Sequence, residues 1–340
     1  MIRPFGLPRV LGVASALALH AIGGAVAAQS TSGSAAWSDP SPHQVRFVSV
    51  APDVRLEVLD WGGSGPALVF LSGLQDVAHG FDAFAPRFTD RHRVLAITRR
   101  GYGASSQPAD GYDLTTRLAD LHAVLDSLRL VRVDLVGHSI AGDELTAFAG
   151  RYPGRVGRLV YLDAAYDHSG LPALLPLSPP PPPMLARDSA SPQAVQSYLR
   201  RTWGMRIPEA QLRAIGRYSS AGRLVGDVTP ARIDSLVLAG CGHPNYGAVR
   251  APALVIDAVI QSTKDVFPTW RGFDAGPRKA AARFAAALQA WAAAERAKVR
   301  RELHGAELVE LRGANHYVFD SHTDTVIRAM REFLARPGST

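Results

Sequence analysis

Val131-Arg132-Val133-Asp134-Leu135-Val136-Gly137-His138-Ser139-Ile140-Ala141-Gly142 is the stretch that decides the fold. Val131–Val136 is an apolar-rich run of strand length, and a helical pattern starts at once, from Ile140 to Arg151. Strand and helix are therefore joined by one sharp turn with Ser139 at its apex. Such a turn strains the backbone and lifts the side chain clear of the sheet, which exposes the hydroxyl for attack. Small residues two positions on either side let helix and strand approach each other. Gly137 fills one position, while Ala141 fills the other, one methyl larger than the glycine of G-x-S-x-G, with Gly142 beside it. The bland alternative is a serine that only caps a helix. The strand before it and the helix after it favour a nucleophile.

Around this turn, strand-like runs alternate with helical patterns, which argues for a parallel sheet. Gln44–Val50 and Val54–Trp61 read as a hairpin pair turning at Pro52-Asp53. Ala67–Leu71 and Arg93–Thr98 are continuous apolar runs, suited to strands covered on both faces. Leu114–Leu128 is helical, and Leu159–Leu162 and Ala253–Val259 are strands. A long Ala-rich helix follows from Lys279 to Leu303, then a last strand at Glu307–Leu311 and a closing helix at Thr323–Leu334. The expected fold class is α/β, a mostly parallel eight-stranded sheet with helices on both faces. The alternation breaks between about Tyr166 and Arg250, where the run Pro179 to Pro183 can enter neither a sheet nor a helix interior. With helical pieces at Pro192–Thr202 and Pro208–Tyr218, residues 166–250 read as a helical lid. It would be inserted into a core made of residues 44–165 and 251–336 and lie over the C-terminal sheet edge, where open α/β sheets bind ligands.

A serine hydroxyl needs an adjacent base. His316, in Gly313-Ala314-Asn315-His316-Tyr317 just past the last strand, returns to the same sheet edge as Ser139 and is the candidate among 11 histidines. His322 is better read as capping the final helix, and His138 is expected to point away from the site. The third group must accept a hydrogen bond from the other imidazole nitrogen. Asp163, at the end of the strand after the nucleophile's helix, is preferred. Asp265 is the alternative, and Asp257 sits within its strand. The bland alternative for Asp163 is a structural acid bonded to local amides. Two backbone N–H groups are expected to hold an oxyanion, those of Ile140 at the helix N-terminus and of Leu74 in Ser72-Gly73-Leu74-Gln75. Phe81, Phe84, Tyr317 and Phe319 flank these residues and read either as an acyl pocket or as core. There is no H-E-x-x-H, paired C-x-x-C, P-loop or G-x-G-x-x-G after a strand, so no metal or cofactor is expected.

Composition narrows the partners. With 47% hydrophobic and 20% charged residues, the chain can fill a large core and is not of disordered type. The formal charge is +7, but of the 37 basic residues only Lys264, Lys279 and Lys298 are lysines. The arginines are dispersed without a dense basic run interleaved with aromatics, so nucleic-acid binding is not expected. Residues 1–28 read as a cleavable signal peptide: Arg3 and Arg9 precede the uncharged stretch Val10 to Val26, and Ala25-Val26-Ala27-Ala28 offers small side chains for cleavage. The apolar stretch is marginal as a membrane span. A periplasmic or secreted protein without stable membrane insertion is expected, and cleavage would lower the formal charge to +5. Residues 29–43, rich in Ser, Gly and Pro, read as a flexible lead-in. Cys241 is the only cysteine, so no intrachain disulfide can form.

From about Val45 to Leu334 the chain resembles the α/β-hydrolase superfamily. The landmarks are Val69-Phe70-Leu71-Ser72-Gly73-Leu74, Arg99-Arg100-Gly101-Tyr102-Gly103-Ala104-Ser105, the turn at Ser139 and Asn315-His316-Tyr317, in that order. Ser72 stands where a histidine is often found in that family. An acid at the end of Leu159–Asp163 is similar to the arrangement in haloalkane dehalogenases, but those enzymes and epoxide hydrolases use an aspartate nucleophile, and Ser139 argues against both activities. The expected function is hydrolysis of carboxylic esters or related acyl compounds through an acyl-enzyme. The rivals are a haloperoxidase-like perhydrolase and a catalytically silent protein that binds a ligand in the same fold.

Overall fold

A computed structural model describes residues 37–336; the expected signal peptide lies outside the described residues. Ten strands and nine α-helices are found among them. The first strands are β1 (Gln44–Ala51), β2 (Val54–Gly62), β3 (Ala67–Leu71), β4 (Arg93–Ile97), β5 (Val133–His138) and β6 (Val156–Leu162). Two short strands, β7 (Gly216–Tyr218) and β8 (Leu224–Asp227), pair only with each other, and β9 (Ala253–Val259) and β10 (Glu307–Arg312) complete the set. Eight strands form one sheet in the order β1-β2-β4-β3-β5-β6-β9-β10. Only the pairs β1·β2 and β2·β4 are antiparallel; the rest are parallel. The expected mostly parallel eight-stranded sheet is therefore present.

The period-2 alternation of the central strands feeds two cores. Leu68 and Phe70 of β3, Val136 of β5 and Leu254 and Ile256 of β9 pack on one face. Val69, Leu71, Leu135, Ala253 and Val255 pack on the other. On this second face lie α1 (Leu114–Ser127), through Leu118, Leu121 and Leu125, and α2 (Ala141–Arg151), through Leu145 and Phe148. Asp113 caps α1 by accepting the Thr116 N–H at 3.0 Å.

Between β6 and β9 the chain forms α3 (Pro192–Trp203), α4 (Glu209–Ile215) and α5 (Ala231–Ala239), with the β7–β8 ribbon between α4 and α5. An all-helical insertion is thus corrected. The helix expected over Pro208–Tyr218 stops at Ile215 because Gly216 leaves the helix and its successors pair with β8. The proline run Pro179 to Pro183 lies outside any helix or strand. After β9 come α6 (Thr263–Val266), α7 (Ala275–Glu302), α8 (Val318–Ser321) and α9 (Thr323–Leu334). The apolar stripe of α9, including Val326, Met330 and Phe333, covers the first face together with Val195 and Leu199 of α3. His322 occupies the N-cap position of α9, but its side chain makes no capping hydrogen bond and instead meets Ser321 Oγ at 3.3 Å, so the capping role expected for it is corrected. Among the described residues no helix is long and apolar enough to cross a membrane.

Candidate active site

β5 delivers Ser139 at φ +55°, a left-handed conformation that a serine adopts only when its surroundings hold it there. Ser139 N–H donates to Leu162 O at 3.3 Å, and α2 starts immediately afterwards. Gly142 explains why Ala141 is tolerated: a Cβ at 142 would sit 1.7 Å from the Ala164 carbonyl oxygen, so the glycine required for close approach stands one position later.

β6 delivers Asp163, also left-handed at φ +50°. Its Oδ2 accepts from His316 Nδ1 at 2.6 Å, while its Oδ1 accepts from the Tyr166 hydroxyl at 2.5 Å and the Ala258 N–H at 2.9 Å. Burial, followed by the charge of Asp163, raises the Tyr166 phenol well above its ordinary value, which keeps it a donor. Because His316 Nδ1–H donates to a carboxylate, Nε2 is the free base position. His316 and Ser139 line one cavity without a hydrogen bond between them, a looseness usual before substrate binds. Asp265, by contrast, closes the first turn of α6: its Oδ2 accepts from Gln261 and Ser262 N–H at 2.8 and 2.9 Å. The structure therefore brings Ser139, His316 and Asp163 together and leaves Asp265 at the cavity wall as a cap.

Behind His316 lies His138. It does point away from the cavity, but it is not idle: its Nε2–H donates to the His316 carbonyl at 3.1 Å, and the two rings are 4.6 Å apart. Burial, then the neighbouring His316, lowers the His138 pKa, so it packs as a neutral ring. Phe81, Phe84 and Phe319 form an aromatic cluster with Phe70 in the core and do not line the cavity. Tyr317 donates its hydroxyl to Asp76 at 3.0 Å.

The loop after β3 carries Leu74. Among the described residues neither the Leu74 N–H nor the Ile140 N–H is used in a hydrogen bond, and both residues line the cavity. Gly73 lets this loop press on the turn at Ser139, since a Cβ there would stand 3.2 Å from the Ser139 Cβ. Sequence reasoning missed what holds the loop. Arg99 Nη1–H and Nη2–H donate to the Gly73 and Ser72 carbonyls at 3.3 and 3.0 Å, and the same guanidinium forks onto Glu144 of α2 at 2.8 Å twice. Arg117 adds a 3.2 Å contact to Glu144. With its loop carbonyls tied back, the Leu74 amide stays free for an anion. The signal was Arg99-Arg100 in a quoted landmark, but its partner lies 45 residues away.

The cavity opens to solvent and measures about 780 Å³ with its open mouth included. Tyr166, Leu171, Trp203 and Leu238 line it from the segment between β6 and β9, and Leu288 and Trp291 from α7. None of these six was singled out from sequence. Beside Asp163, Asp257 of β9 is buried with Oδ1 unbonded, and burial, then the Asp163 charge, pushes its pKa up to about 8.

A family model described as the alpha/beta hydrolase fold matches residues 66–219. This chain has the α/β-hydrolase fold. It is 25% identical over 279 residues to 2-(acetamidomethylene)succinate hydrolase of Mesorhizobium japonicum, covering 80% of this chain and 89% of that one. It is 34% identical over 120 residues to a non-heme chloroperoxidase of Streptomyces lividans, covering 34% of this chain. It spans only 32% to 44% of the length of the chloroperoxidase relatives it matches. The crystal structure of E-2-(acetamidomethylene)succinate hydrolase superposes with a TM-score of 0.64 at 21% identity, over 86% of this chain and all of that one, a likeness of fold.

Proposed function

We propose that this α/β-hydrolase cleaves carboxylic esters or related acyl compounds through an acyl-enzyme formed on Ser139. The observation that carries the reading is the 2.6 Å Asp163–His316 contact, which leaves His316 Nε2 free in the cavity that also holds the strained Ser139. Ser139 Oγ attacks the carbonyl carbon as His316 Nε2 takes its proton; the tetrahedral oxyanion is held by the Leu74 and Ile140 N–H groups, aided by the N-terminus of α2. The protonated His316 then gives the proton to the leaving group, and water releases the acyl group by the reverse sequence. Asp163 orients His316 and stabilises its charged form. No Lys or Arg is among the residues lining the cavity, whereas Asp265 is, so a neutral, largely apolar acyl substrate fits better than the dianion named for the succinate hydrolase. The segment between β6 and β9 acts as the lid that shapes this pocket. Fluorophosphonate labelling of the wild-type chain, absent in Ser139→Ala, together with turnover of p-nitrophenyl esters of increasing length, tests the reading. A folded wild-type protein that stays unlabelled would refute it and favour a silent binding protein.

Likeness to the chloroperoxidases supports a second reading, perhydrolysis by the same three residues. Peracid formation from acetate and peroxide that outpaces ester hydrolysis would select it. Export through residues 1–28 is part of the proposal, tested by N-terminal sequencing of protein recovered outside the cytoplasm.

A further inference from the structure

Outside the candidate active site, two short pairs converge: Asp39 and His43 in the lead-in, and His79 and Asp82 in the turn after β3. One ligand atom from each lies within 4.8 Å of all the others. Asp39 Oδ2 is 3.2 Å from His79 Nδ1 and 3.8 Å from His43 Nε2; Asp82 is 2.9 Å from His79 Nδ1 and 3.1 Å from His43 Nδ1. Four ligands held about 2.0–2.1 Å from a tetrahedral zinc ion stand about 3.3–3.4 Å apart; with one atom from each residue, and so only one of the His43 nitrogens, the four lie within 4.8 Å, and a small contraction would close them on an ion.

Its two carboxylates have only the two imidazoles as charge partners among the described residues. The side chains of His43 and Asp82 are only 4% and 8% exposed, and His43 Nδ1, Asp82 Oδ1 and Asp39 Oδ2 make no well-aligned hydrogen bond: His43 Nδ1 and Asp82 Oδ1 meet each other at 3.1 Å, and Asp39 Oδ2 meets His79 Nδ1 at 3.2 Å. No Lys or Arg among the described residues pairs with either aspartate. Buried polar atoms left this way are costly unless something binds them. The surroundings fix the ligands: Ser41 N–H donates to Asp39 Oδ1 at 2.9 Å, leaving Oδ2 inward, and Trp61 Nε1–H donates to Ser41 Oγ at 2.9 Å. Glu57 Oε1 stands 4.0 Å from the second ring nitrogen of His79, on the side from which a carboxylate orients a metal-binding imidazole.

We propose that Asp39, His43, His79 and Asp82 bind one divalent transition-metal ion, zinc by ligand set, as a structural clasp. It departs from the sequence expectation of no metal, which rested on H-E-x-x-H and cysteine patterns that a D-x-x-x-H and H-x-x-D pair does not match. The clasp ties the lead-in to the turn after β3 in a chain whose single cysteine excludes a disulfide. It also accounts for residues 39–43 being held against the core where the sequence suggested a flexible lead-in.

The test uses the full chain stripped with a chelator and reloaded with Zn²⁺ alone. About one equivalent should survive desalting, raise Tm by several degrees, and give four-coordinate d–d bands when Co²⁺ replaces it. Asp39→Asn, at the most exposed ligand, and His43→Ala with Asp82→Asn should each lose at least tenfold in affinity, while fluorophosphonate labelling of Asp39→Asn stays within twofold of wild type. Retention far below one equivalent in wild type overturns the proposal, even if the double variant fails to fold. So does stoichiometric zinc that survives all of these substitutions, or a Tm that follows pH but not metal.

Discussion

The two walls around Ser139 are built by opposite physics. On the side of the loop after β3, buried charges do the holding: Arg99 and Arg117 converge on Glu144, and Arg99 ties back the carbonyls of Ser72 and Gly73. On the other side, Leu171, Trp203, Leu238 and Trp291 make an apolar surface with few directional bonds. The first arrangement tolerates almost no displacement, because a buried ion that loses its partner is left unsolvated. The second can be reshaped a side chain at a time. Under the proposed acyl-enzyme chemistry, the rigid wall would fix the reaction and the adaptable one the choice of substrate.

That contrast can be broken at its centre first. Asp163→Asn should lower kcat for a p-nitrophenyl ester by about 10⁴-fold through the wrong His316 tautomer, whereas Asp265→Asn should leave it within about threefold; the reverse ranking would move the acid to α6. Next, Glu144→Ala strands Arg99 and Arg117 and should cost about 3–5 kcal/mol in urea unfolding. A loss under about 1 kcal/mol would show that the wall is not held by charge. On the adaptable side, Trp291→Ala should shift the preferred acyl chain to a longer one by about 1–3 kcal/mol in relative kcat/KM, with labelling of Ser139 retained.

The effect that is smallest per pH unit concerns Asp257. The unfolded chain ionises this carboxyl near pH 4, while the folded protein holds the proton up to about pH 8. The group therefore withdraws stability as pH rises through that window. Asp257→Asn should remove the loss, so that its stability relative to wild type improves by up to about 1.4 kcal/mol per pH unit between pH 5 and 7. A difference independent of pH would mean that Asp257 is already ionised in the fold.

Much of this was legible because it is local. Strand β9 and helix α9 match their expected bounds, since an uninterrupted apolar run and a period of 3.6 are properties of neighbouring residues. The α7 helix starts earlier than expected, at Ala275, because Pro277 falls in a first turn where its missing N–H is harmless. The β7–β8 ribbon and α5 were not anticipated, being short and stabilised by what they pack against. Arg99–Glu144, Trp203 and Trp291 could not be assigned roles, as nothing near them in sequence names their partners.

By itself the sequence determined the α/β class and placed Ser139 and His316 after strands ending on one sheet edge, because strand period and turn chemistry are written in consecutive residues. Only the tertiary structure decided that Asp163 reaches His316 while Asp265 caps a helix. It alone showed that Gly142 relieves the turn at Ala141, and that Asp39, His43, His79 and Asp82 meet. These are matters of distance between residues remote along the chain, and distance is fixed only when the sheet has brought its strands into register.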